Sequence, residues 1–394
     1  MIDISKVSSP CFVLEEELLR RNLSLIKSVG EEAGVEIILA FKGFSMWGAF
    51  PIVREYINGA TASSLNEALL CVGEMKTKSH TYCVAIDDNE INEIIKCSSH
   101  LTFNSLTQFE RFRKKAIAAG VSCGIRVNPQ YSEVTTDLYN PCSPNSRLGV
   151  TSEHFGDKLP EGIEGIHFHA LCENDSFTLE KTLAEFEKRF GHLIKQAKWV
   201  NMGGGHLMTR KGYDTKHLIK LLREFKARYN MHVILEPGSA FAWQTGILVS
   251  KVLDIVEANG VKTAMLDVSF TAHMPDCLEM PYVPAVRGAC TESQISNAIA
   301  FNDSDKKQIT GELNFKYRLG GTSCLSGDYM FEYSFDHELK IGDKIILEDM
   351  IHYTMVKTSF FNGVKHPSIG IWTLNNEFKL LREFGYDDYK NRLG

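Results

Sequence analysis

In Ile37-Ile38-Leu39-Ala40-Phe41-Lys42, five apolar residues run straight into a lysine. A run this short and this apolar, closed by a polar turn, is the pattern of a strand buried on both faces. Seven similar runs follow at residues 59–63, 82–86, 101–104, 123–128, 165–169, 199–203 and 232–236. Amphipathic segments lie between several of them, with apolar residues at helical spacing over residues 106–119 and 179–195. Eight strands alternating with helices predict an α/β fold in which residues 35–246 close into a parallel (β/α)8 barrel of the TIM type.

After residue 246 the texture changes. Strand-like runs at residues 247–257, 264–268 and 340–347, the last broken by Gly342-Asp343, predict an antiparallel β domain. A further run at residues 11–14 precedes the barrel and is expected to pair with that later domain. The expected organisation is therefore a barrel over 35–246 and a β domain built from 1–34 and 247–394.

At 394 residues and 44% apolar composition, the chain has enough material for one large core and a smaller second one. The net charge of -6, without any long run of Lys and Arg, argues against nucleic acid as a partner. No apolar stretch approaches the ~20 residues of a membrane span, so no membrane partner is expected. The opening Met-Ile-Asp-Ile-Ser-Lys lacks the build of a secretion signal. Ten cysteines at irregular spacing, without a Cys-x-x-Cys pair, predict free thiols in a reducing cytoplasm and no bound metal.

Barrel enzymes carry their chemistry at the carboxyl ends of the strands, and that is where Lys42 is expected. A lysine that forms an imine must be neutral part of the time, which a partly dry barrel mouth favours by desolvating the ammonium. Read alone, a lysine at a strand end is more often simply solvated. Gly203-Gly204-Gly205 follows the seventh strand, where barrels often bind phosphate through loop amides; the alternative is a tight turn. Glu236 ends the eighth strand and could meet a ring nitrogen bound across the mouth, or serve as a cap or surface pair. His169 ends the sixth strand and could stack on a flat ring, or be a satisfied core histidine. In the β domain, Gly320-Gly321-Thr322-Ser323-Cys324-Leu325-Ser326-Gly327-Asp328 is a loop of small residues able to enter a cavity. There Cys324 could give up a proton and Asp328 could bind an ammonium, against the reading of a flexible turn. Tyr353 offers a hydroxyl to a phosphate, or an aromatic to the core.

Taken in order, these motifs resemble those of the fold type III pyridoxal-phosphate decarboxylases, which include the diaminopimelate, ornithine and carboxynorspermidine enzymes. The resemblance extends from Cys11-Phe12-Val13-Leu14 to Phe360-Phe361-Asn362-Gly363. It rests on Ala40-Phe41-Lys42, Ser146-Arg147-Leu148-Gly149, His167-Phe168-His169, the glycine triplet, Glu236-Pro237-Gly238, the segment from Cys324 to Asp328, and Tyr353. It implies pyridoxal 5′-phosphate as cofactor. Lys42 would be its attachment point, His169 the ring stacker, Gly203 to Gly205 and Tyr353 phosphate contacts, and Glu236 the partner of the pyridine nitrogen. Ser239 is read as a cofactor contact as well; it stands where several relatives carry an arginine, which implies heavier reliance on loop amides. The resemblance also implies a homodimer in which Cys324 and Asp328 reach the neighbouring subunit's site.

Within the family the sequence is most similar to the branch that decarboxylates carboxynorspermidine and carboxyspermidine in polyamine biosynthesis. After His169 it reads Ala170-Leu171-Cys172-Glu173, a pattern typical of that branch. Where the diaminopimelate enzyme has an Arg-Pro that helps hold a second carboxylate, this chain has His273-Met274-Pro275-Asp276-Cys277-Leu278-Glu279-Met280-Pro281. Glu279 or Asp276 would repel a distal carboxylate and favour an ammonium, so His273, Asp276 and Glu279 are expected near a cationic substrate. The alternatives are another branch, acting on diaminopimelate, ornithine, arginine or lysine, and a non-catalytic regulatory relative. The presence of Lys42, Cys324 and Asp328 together argues against the latter.

Overall fold

The computed structural model describes residues 2–279, 282–296 and 313–394. Met280 and Pro281 of the stretch quoted above lie outside the described residues. The chain forms two units, Arg20–Trp243 and Met1–Leu19 with Gln244–Gly394. Residues 20–34, read above with the β domain, thus group with the barrel. They form most of the amphipathic helix Glu16–Ala33. Its buried Asn22 needs acceptors and finds them in the carbonyls of Phe241 (3.2 Å) and Trp243 (2.8 Å).

The first strand, β1 (Cys11–Glu15), belongs to the β unit. The barrel is built from β2 (Glu36–Ile37), β3 (Leu39–Ala40), β4 (Ala60–Ala62), β5 (Ser79–Cys83), β6 (Ser98–Phe103), β7 (Ser122–Arg126), β8 (Ile163–His167), β9 (Trp199–Asn201) and β10 (His232–Leu235). They hydrogen-bond in the order β2-β10-β9-β8-β7-β6-β5-β4-β3, every pair parallel. Ile38 alone separates β2 from β3. Its N–H donates to Leu235 (2.9 Å) and that of Leu39 to Gly59 (3.1 Å), so β2 and β3 are one strand that bonds to both neighbours and closes an eight-stranded ring. Four barrel helices start on a Ser or Asp cap, where Ser64, Ser105, Asp175 and Asp214 accept the N–H of the third residue beyond.

Seven strands overlap closely with the apolar runs, but the third does not. It spans Ser79–Cys83 rather than 82–86, because its first half is polar and still buried. Ser79, Thr81 and Ser98 satisfy one another through hydroxyl bonds of 2.7 and 2.6 Å, which a search for apolar runs does not register. At the amino-terminal floor of the barrel the rings of His80 and His100 lie 3.9 Å apart, and Trp199 meets His100 edge-on at 5.4 Å. A side chain at Gly165 would overlap the Trp199 indole, its Cβ falling 2.0 Å from the ring.

The β unit holds β1 with β11 (Gly246–Ala258), β12 (Val261–Leu266), β13 (Ala289–Cys290), β14 (Phe315–Gly320), β15 (Tyr329–Phe335), β16 (Lys344–Glu348), β17 (Ser368–Trp372) and β18 (Phe378–Arg382). Its order is β13-β15-β14-β12-β11-β1-β17-β18, with β16 also on β11. The sheet is mixed rather than antiparallel throughout, since β1 pairs with β17 and β12 with β14 in parallel. The long excursions between β1 and β17 and between β12 and β14 permit this, whereas tight hairpins would not. As expected, residues 11–14 join the later domain, and Val13, Ile247, Val249, Ile346 and Trp372 form its core. Among the described residues the ten cysteines are free thiols, and no helix is long and apolar enough to cross a membrane.

Candidate active site

Strand β3 ends at Ala40, and the chain turns at once, the N–H groups of Gly43 and Phe44 both donating to Ala40 O. This turn presents Lys42 at the carboxyl end of the barrel. Solvent reaches its side chain, yet protein surrounds it. Loss of bulk water and then the positive charge of Arg126 lower its pKa, against the pull of Glu236, Glu67 and Cys172.

Glu236 follows β10 and is buried. One carboxylate oxygen accepts from Asn201 Nδ2 at 2.6 Å, and the other lies 3.6 Å from His167 Nε2. Burial alone would push this carboxyl up; His167, Asn201 and Lys42 outweigh it and bring its pKa to about 2. A fixed anion therefore sits among these strand ends.

The glycine triplet follows β9. A Cβ on Gly203 would lie 2.5 Å from Phe168 O, one on Gly204 2.5 Å from Glu236 O, and one on Gly205 2.3 Å from Leu171 O. Glycine is required because the loop threads between two neighbouring chain segments. Two of its N–H groups are already engaged, Gly203 with Asn201 Oδ1 and Gly204 with His169 Nδ1, both at 2.9 Å. Because His169 Nδ1 accepts a hydrogen bond, its ring is fixed and unprotonated there. Burial, Lys42 and Arg126 hold its pKa well below the usual histidine value. The hydroxyl of Ser239 donates to Glu173 Oε1 at 3.2 Å.

Motif reading left several residues of this mouth without a role. Arg126 ends β7, buried, with its guanidinium 4.8 Å above the Tyr82 ring and Nη2 donating to His169 O at 3.2 Å. Asn201 and His167 complete the Glu236 environment. Their signal was present: each is a polar residue closing an otherwise buried strand, where a polar group needs a purpose. A nucleophilic nitrogen of lowered pKa, a fixed carboxylate and a half-buried imidazole fit a flat cofactor that carries a basic ring nitrogen and a carbonyl.

The other expected residues belong to the β unit. His273 is fully buried in its own unit, its Nδ1 accepting from Ser269 N–H at 3.1 Å, and burial followed by His366 lowers its pKa to about 3. The helix Phe270–His273 that carries it also buries Phe270 and Ala272. Asp276 is also buried, one oxygen accepting from Tyr282 (3.1 Å) and Thr354 (2.8 Å). Glu279 is exposed and paired with Lys357. Asp328 accepts three backbone N–H groups, from Phe270 (2.7 Å), Thr271 (3.1 Å) and Ser323 (3.0 Å), and so fixes the loop that carries the exposed Cys324. The N–H of Cys324 donates to Asn362 Oδ1 at 2.8 Å. Tyr353 is half-buried with φ at 47° and ψ at -59°, strained for any side chain.

The family model described as "Pyridoxal-dependent decarboxylase, C-terminal sheet domain" matches residues 12–351. A carboxyaminopropylagmatine decarboxylase of Synechocystis sp. is 50% identical over 392 residues, covering 99% of this chain and 97% of that protein. A carboxynorspermidine/carboxyspermidine decarboxylase of Campylobacter jejuni is 45% identical over 387 residues, covering 98% and 99%. The crystal structure of a C. jejuni carboxynorspermidine decarboxylase complexed with norspermidine superposes with a TM-score of 0.87 at 43% identity, covering 98% of this chain and 100% of the other.

Proposed function

This chain belongs to the pyridoxal-dependent decarboxylase family, and we propose that it removes the carboxylate from a carboxylated aminopropyl arm joined to a cationic polyamine tail. The names of its similar relatives share that arm and differ in the tail, which ends in an amine for carboxynorspermidine and carboxyspermidine and in a guanidine for carboxyaminopropylagmatine. The observation that carries the reading is the pairing, at one barrel mouth, of a lysine with lowered pKa and a buried carboxylate held ionised.

Bound there, pyridoxal phosphate would supply an electron-poor ring that accepts the electron pair left when the carboxylate departs as carbon dioxide. Lys42 offers the attachment nitrogen, and its lowered pKa raises the fraction in the nucleophilic free-amine form. Glu236 would present its anion to the ring nitrogen and keep a proton there, while Asn201 and His167 keep the carboxylate from swinging away. His169, tethered by Gly204, would hold the flat face of the ring. The Cys324 thiol of a second copy returns a proton to the carbon that lost carbon dioxide, and Asp328 holds the loop that delivers it.

The amine-ended substrates are the first reading, and the guanidine-ended one is a second, favoured by the 50% relative. Purified protein is offered carboxynorspermidine, carboxyspermidine, carboxyaminopropylagmatine, diaminopimelate and ornithine, and the product amines are identified. Turnover of one of the first three is expected; turnover only of diaminopimelate or ornithine overturns the proposal. Borohydride reduction followed by peptide mapping is expected to place the cofactor on Lys42.

A further inference from the structure

Asn104 lies just past the end of β6 and has no place in the chemistry above. Its side chain nonetheless uses three hydrogen bonds. Oδ1 accepts from the Tyr82 hydroxyl at 2.7 Å and from Gly149 N–H at 2.9 Å, and Nδ2 donates to Arg147 O at 2.9 Å. The loop containing Ser146-Arg147-Leu148-Gly149 is thereby pinned to the barrel.

The same amide fixes Tyr82, whose ring is the platform under Arg126 at 4.8 Å and the neighbour of His167 at 5.4 Å. Arg126 in turn donates to His169 O. A cation over an aromatic face is attracted to the ring, so moving the ring moves the charge.

We propose that Asn104 is a positioning residue: through the Tyr82 hydroxyl it seats the Arg126 guanidinium, and so sets both the charge field at Lys42 and the pose of His169. The inference rests on the site assignment made under Proposed function. Asn suits the role because it offers an acceptor and a donor on one rigid plane; Asp would lose the bond to Arg147 O. The charged and titratable groups facing Lys42 are Arg126, Glu236, Glu67, Cys172, His167 and His169, and of these Arg126 is the one the relay moves.

Two variants test it. Tyr82→Phe deletes the hydroxyl but keeps the ring and the bonds from Asn104 to the loop; Asn104→Ala removes the whole anchor. In the full-length chain freed of cofactor, the pH dependence of Lys42 acetylation, read by peptide mass, reports the proton affinity of its amine. Loosening a neighbouring cation should raise the labelling midpoint by about one pH unit in both variants. In the loaded enzyme, kcat should fall about tenfold with KM little changed. The double variant should be no worse than Asn104→Ala, since the two changes cut one relay. Should Asn104→Ala fail to fold, Tyr82→Phe alone decides. A labelling midpoint that stays at the wild-type value, even with a lowered Tm, overturns the relay and leaves Asn104 a purely structural anchor. If the wild-type chain takes up no cofactor, the assigned function fails, while the acetylation midpoints still judge the relay.

Discussion

Glu236 shows how little a residue type says before its surroundings are known. The dipeptide that follows it made a strand-end carboxylate legible, but only Asn201 and His167, brought in from β9 and β8, make it a fixed anion. Its folded-state pKa, about 2, lies below the ordinary value of 4.5. Its stabilising contribution is therefore complete above about pH 4.5 and is lost as the pH falls towards 2. Glu236→Gln keeps the shape and removes the charge. The expected outcome is a kcat at least about a hundredfold lower, with cofactor still attached at Lys42, seen by steady-state rates and absorbance. Near-normal turnover would show that the anion is not used. Arg126 makes the complementary point. A charge inside an apolar run marks a functional position, yet nothing along the chain says that it lies over Tyr82.

At the scale of elements, the strands were legible where they are apolar and the helices where apolar residues recur at helical spacing. Strand β5 was misplaced because Ser79, His80 and Thr81 are buried polar residues that satisfy one another or stack, and pairing partners are invisible along a single strand. The stack of His80 on His100 across β5 and β6 carries a pH consequence. Burial, then His80, lowers the His100 pKa to about 4 from 6.5. The folded chain thus binds fewer protons than the unfolded one across that window. Stability is flat above about pH 6.5 and declines as the pH falls towards 4. Thermal unfolding should show Tm dropping by a few degrees over this range. His100→Gln, which cannot titrate, should give a shallower acid slope. An unaltered slope would move the effect to His206, also lowered to about 4, chiefly by burial.

At the scale of the whole molecule, the residues read together from sequence are divided between two units: Lys42, His169, Glu236 and Ser239 in the barrel, and Cys324, Asp328 and Tyr353 in the β unit. If the active site is shared between subunits, as proposed, Lys42→Ala and Cys324→Ala chains, each strongly impaired alone, should recover activity when mixed and allowed to exchange subunits. No recovery after exchange, verified by mass, would make each subunit's site its own. The chain's order of apolar runs, turns and amphipathic segments was enough to determine an eight-stranded barrel with a later β domain, because the periodicity of burial is written locally in residue type. It also placed Lys42 and Glu236 just past strand ends, because that position follows from the same periodicity. What only the tertiary structure decided is every property that depends on a neighbour remote in sequence. These are the glycine loop's use of its own amides, the inward burial of His273, the mixed strand directions of the β sheet, and the charge of Arg126 beside Lys42. Proton affinities and hydrogen-bond partners are set within a few ångströms in space, a distance that sequence separation does not measure.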